Sequence, residues 1–152
     1  MGMMQTLEQM VCKELYVERY DWIVHTFFDV DESCAEEIMD VLFNINCSAD
    51  TARVAFEKIT SGKKNVGLCF TNYKMRESVL VVSKSTSSAE FINSLHHELV
   101  HLQSHIAHEC NLDPQGEEIA YLSGDIIMRI YPHVAYLLCD KCRNKYLDYE
   151  KE

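Results

Sequence analysis

The nineteen-residue stretch INSLHHELVHLQSHIAHEC, residues 92–110, constrains the fold more than any other and holds five of the chain's seven histidines. At about 100° per residue, with His97 at zero, His101, His105 and His108 fall at about 40°, 80° and 20°. Ile92, Leu95, Leu99, Leu102 and Ile106 fall between about 140° and 220° on the same wheel, directly opposite. Such a segment is a helix that buries its leucine side and offers its histidine side to solvent or to a ligand. A capping box, Ser87 to Glu90, stands ahead of it. The turn-forming run NLDPQG ends it near Cys110.

The rest of the chain supplies something for that helix to pack on. RYDWIVHTFFDV alternates, with Tyr20, Trp22, Val24, Phe28 and Val30 on one face, which predicts a half-buried first strand. Ser33 to Glu36 has the form of a second capping box, opening a helix through about residue 44. A further helix over about residues 50–60 stops before Gly62, which can take the left-handed end conformation. NVGLCF and SVLVVS, joined by TNYKMRE, read as a hairpin, the second run lying inside the sheet because it is apolar throughout. A helix from Glu117 is expected to break before Pro132, and the tail over about residues 133–148 to be helical again. With no repeat, low-complexity tract or linker, residues 1–152 are expected to form one domain.

Composition narrows the function. Fourteen basic against 24 acidic residues give a net charge of −10, which repels phosphate backbones and anionic lipid surfaces and argues against a nucleic-acid or membrane partner. Seven cysteines, an odd number, read as reduced thiols. The first residues lack the apolar run of a signal peptide and no stretch reaches the length of a membrane span, so a soluble cytoplasmic protein is expected. Cys139 and Cys142 form a single CxxC, which without a second pair is a weak metal or redox signal.

Histidine is an odd choice for a merely wet helix face, since lysine, glutamate or arginine solvate it as well and favour helix more. His97, Glu98 and His101 form the pattern HExxH. Two imidazoles one turn apart can hold one zinc ion, and the glutamate beside the first can reach a water on it. A third protein ligand would leave one position open. The place where a third histidine follows in metzincins holds Ala107, so the candidates are the acids of GEEIAYLSGDIIMRIY. Glu117 shares its helix side with Ala120, Tyr121, Gly124 and Met128, whose small members permit close helix approach. Glu118 shares its side with Asp125 and Arg129, as a solvated charge stripe does. Glu117 is therefore the expected third ligand.

The run Glu117 to Tyr121 resembles the E-x-x-small-x element that follows HExxH in gluzincins, zinc peptidases of the thermolysin-like type. The likeness is greatest to small zincin-like proteins encoded in phage and bacterial genomes, and covers about residues 79–130. It implies an α+β fold of zincin type, a mixed sheet of about three or more strands packed on the motif helix and a following ligand helix. It also implies zinc on His97, His101 and Glu117, with Glu98 as general base. Where the family places an acidic partner for a ligand histidine, this chain has Tyr121.

The chemistry implied is amide hydrolysis of a peptide or protein substrate, with Glu98 passing a proton from the attacking water to the leaving amine. Tyr121, Tyr131, Tyr136 and His133 are candidate donors to the oxyanion; Tyr121 is favoured because it shares the Glu117 face. An extended peptide could pair with an edge strand within residues 65–83. His96, His105 and His108 serve either the polar face or the surroundings of the site. Two other functions fit the same residues: a noncatalytic zincin-fold module in which zinc clamps two helices, and a metal-free α+β interaction protein.

Overall fold

A computed structural model describes residues 10–141. Its architecture is α+β, a four-stranded mixed sheet with two helices on each face. The strands are β1 (Val11–Val17), β2 (Trp22–Val30), β3 (Gly67–Asn72) and β4 (Glu77–Ser83), in the order β1-β2-β4-β3. β2 and β4 run parallel, and the two outer pairs are antiparallel. Helices α1 (Ala35–Asn44) and α2 (Ala49–Thr60) cover one face; α3 (Ser88–Cys110) and α4 (Glu117–Val134) cover the other. No helix among the described residues is long and apolar enough to cross a membrane.

Both central strands are buried on two faces. In β4, Leu80 and Val82 join the core under α3 and α4, while Val79 and Val81 join the core under α1 and α2. This is why its sequence is apolar throughout. β2 departs from the expected half-buried strand for the same reason: paired on both sides, it carries Trp22, Val24 and Phe28 to one core and Phe27 and Val30 to the other. Val30 leaves the face assigned by simple alternation because Asp29 takes a left-handed conformation (φ 57°) where the register against β4 shifts. β1 was not legible in the sequence: Cys12, Lys13 and Glu14 are exposed, Leu15 and Val17 are buried in the core, and Val11 packs half-buried against it.

Caps explain most helix boundaries. Ser87 accepts from the amide of Glu90 to open α3, and Asn111 closes it in the left-handed conformation (φ 55°). Ser48 accepts from Thr51 to open α2, and Gly62 follows its end at φ 74°. The expected Ser33 cap is corrected. Asp31 accepts from the Ser33 amide and hydroxyl, and a 3-10 turn over Glu32–Cys34 precedes α1. Pro132 does not break α4, which runs on to Val134. The carbonyl it leaves without a donor belongs to Met128, on the exposed side, while Ile130 and Val134 hold the helix to the core. A 3-10 turn, Ala135–Leu137, follows in place of a continuous helix, and residues 138 and 139 are not helical; the part of the expected helical tail from Cys142 on lies outside the described residues.

The α3 stripe is the anchor of its layer. Leu95, Leu99, Leu102 and Ile106 are buried on β2, β4 and α4, as the wheel requires, while Ile92 at the stripe's edge remains 47% exposed. Leu102→Ala is expected to lower the unfolding free energy by about 2–5 kcal/mol in chemical denaturation. A loss below about 1 kcal/mol would mean that the helix is not held there.

Candidate metal centre

The rotation that buries the leucines turns His97 and His101 outward. Their Nε2 atoms stand 3.3 Å apart, with ring centroids 4.9 Å apart and planes at 73°. Two nitrogens on one tetrahedral zinc at about 2.0–2.1 Å would be separated by about 3.3 Å. The pair thus has the spacing of two ligands of one ion, which is also that of a long imidazole–imidazole hydrogen bond.

Glu98 lies between that outward pair and the sheet. It is buried, and one of its carboxylate oxygens comes within 4.8 Å of ligand nitrogens of both histidines. Gly67, at the start of edge strand β3, makes its place. A Cβ there would stand 2.8 Å from Glu98 Cγ, 2.9 Å from Glu98 Oε2 and 2.6 Å from the Val81 carbonyl oxygen. Burial pushes the Glu98 carboxyl above its ordinary pKa, opposed by the nearby His97, Lys58 and His101.

His105, one turn on, is tied to the sheet. Its Nδ1 is 2.8 Å from Thr71 Oγ1, which is 2.6 Å from Ser78 Oγ, which accepts from Trp22 Nε1 at 2.9 Å. The indole can only donate, so Ser78 accepts at that end, while the hydroxyls of Ser78 and Thr71 can each donate or accept along the rest of the chain. Burial, then the neighbouring His101 and His108, lower the His105 pKa and agree with a neutral ring. Tyr73, from the β3–β4 turn, packs edge-on against both His105 and His108.

The structure brings together His97, Glu98 and His101 but not the expected third ligand. Among the described residues no further histidine, cysteine or acid joins the group. Glu117 is exposed at the first turn of α4. The reason is length: α3 continues nine residues beyond His101, about 13 Å along its axis, before the turn that leads to Glu117. The small residues on its side meet no neighbouring element at Gly124, where a Cβ would find nothing within 4 Å. Tyr121 is 70% exposed on the same side. Glu118 pairs with Arg19 at 3.2 Å, and Asp125 with Arg129 at 3.6 Å, so that side carries the expected charges.

Three contributors were not singled out from sequence: Gly67, Lys58 and the Thr71–Ser78 pair. Gly67 did leave a signal, because a glycine inside an apolar strand run marks the close approach of another group. Compared with known proteins, the chain matches no family model, no curated protein and no solved structure.

Two outcomes follow from the buried carboxylate. Gly67→Ala is expected to destabilise the protein by about 1–3 kcal/mol, because the Val81 carbonyl, 2.6 Å from the added Cβ, is backbone and would have to shift; unchanged denaturation would refute the tight contact. A carboxyl whose folded pKa exceeds its unfolded value loses stability as pH rises from the unfolded pKa through the folded one. Metal-free Glu98→Gln should therefore melt above wild type at about pH 7, and the gap should close below about pH 4. A gap that is constant with pH would assign it to shape rather than charge.

Proposed function

We propose that this protein is a zinc-dependent peptidase with a zincin-like fold, in which His97 and His101 hold the metal and Glu98 is the general base. The observation that carries the reading is the 3.3 Å spacing of the two Nε2 atoms with a buried carboxylate beside both. When bound, zinc supplies Lewis acidity and a water ionised near neutral pH. Glu98 accepts the proton at its carboxylate and returns it to the leaving amine. Its desolvated position favours proton transfer near neutrality over that of a wet glutamate.

β3 is an edge strand, so its outer backbone groups can pair with an extended peptide. Glu98 meets that strand at Gly67, which brings a paired peptide past the carboxylate. The likeness to gluzincins offers Glu117 as a third ligand; its position at the far end of α3 leads us to assign the metal to His97 and His101 without it. A second reading, the noncatalytic zincin-fold module, is favoured by the same displacement, because α4 brings neither Glu117 nor Tyr121 to the pair.

Metal analysis of purified protein by mass spectrometry, before and after incubation with zinc, tests the first reading together with hydrolysis of a peptide library. Wild type, Glu98→Gln and Glu117→Gln should each hold about one zinc, and His97→Ala should lose most of it. Glu98→Gln should lose at least about a hundredfold in hydrolysis rate. Zinc loss in Glu117→Gln would restore that residue as a ligand. Zinc bound with a raised melting temperature but no turnover would establish the noncatalytic reading, and a wild-type protein that never takes zinc would sink both.

A further inference from the structure

A cavity of about 240 Å³ lies between α2 and the start of β3, on the sheet face opposite α3. Lys58, Lys63, Lys64 and Lys84 line it beside the aliphatic side chains of Ile59 and Val81. Four of the fourteen basic residues thus meet in one place, in a chain of net charge −10. Lys84 is committed to Asp29 at 3.4 Å, and the carboxylate of Asp31, also in the lining, is turned to Ser33. Lys58, Lys63 and Lys64 make no ion pair among the described residues, against one further carboxylate in the lining, Glu32. Four ammonium groups thus stand against the carboxylates of Asp29, Asp31 and Glu32, a small local excess of positive charge in a negative protein.

Its position relates it to Glu98. Gly67 lines the cavity and, where a side chain would project, faces the Glu98 carboxylate. The two are separated by little more than the thickness of one strand, and the Lys58 charge is felt at Glu98, where it favours the ionised form. A peptide paired with the β3 edge would point alternate side chains to the α3 face and the α2 face. A residue flanking the bond presented to Glu98 would then drop its side chain on the α2 face, toward the lysines.

We propose that this cavity is a subsite for a carboxylate-bearing side chain, glutamate or aspartate, of a peptide paired along β3. The peptidase reading supplies the position of the bond to be cut; the binding does not depend on it. Lysine suits the task, because its stem lies along apolar walls while the ammonium offers three donors to a carboxylate.

The test uses labelled peptide pairs that differ only in carrying glutamate or glutamine, scanned one position at a time. Their binding to full-length Glu98→Gln protein, with zinc present, is measured by fluorescence anisotropy. At one position the glutamate peptide is expected to bind roughly fivefold or more tightly at low salt. The preference should fade at about 0.5 M NaCl and vanish in the triple variant Lys58→Ala, Lys63→Ala, Lys64→Ala, whose exposed side chains can be shortened without opening the core. Equal binding at every position, or a preference that survives the triple variant, overturns the subsite. Turnover by wild type is scored separately, so failure to cut either peptide counts against the peptidase reading and leaves the binding comparison decisive.

Discussion

Burial of the α3 leucine stripe on the sheet is the interaction on which the rest depends. Once Leu95, Leu99, Leu102 and Ile106 face β2, β4 and α4, the rotation of the helix about its axis is fixed. Every other side chain on it then has a determined outlook. The side opposite the stripe, with His97 and His101, must face outward, and Glu98, a quarter-turn round, must meet β3. A carboxylate cannot be pressed against a strand without space, and Gly67 supplies that space. The candidate centre is thus a consequence of how a hydrophobic surface was satisfied.

The same dependence explains how far the sequence could be read. The stripe, the Ser87 cap, the hairpin and the central place of β4 were legible because each rests on local patterning or short-range hydrogen bonds. β1 was not, because an edge strand with three exposed polar or small residues in sequence has little alternation to detect. Val30 was placed on the wrong face because period two holds only while the backbone stays extended, and Asp29 does not. Within the site, HExxH spacing is intrahelical and so survives from sequence to structure. Glu117 is a different kind of inference, since its distance from the pair depends on how far α3 runs before it turns, and a wheel carries no information about length along the axis.

The electrostatics divide along the same sheet edge. The α3 face carries histidines and a desolvated carboxylate, and the α2 face carries lysines, with β3 between them. A single extended ligand would read both faces at once through the alternation of its own side chains. That arrangement couples position along the strand to charge across it, which a pocket on one face could not do.

The hydrogen-bond chain behind His105 runs from the core to the surface. It begins at an indole, a group with no acceptor, deep in the core, and reaches His105 through two hydroxyls. His105 thus has one ring nitrogen committed to the sheet, whereas the Nε2 atoms of His97 and His101 face each other at the surface. One side of one helix thus shows the same ring in two settings, the one at His105 anchored through two hydroxyls to a tryptophan on a central strand. The identity of Trp22 as a core residue is in this respect inseparable from what the surface can offer.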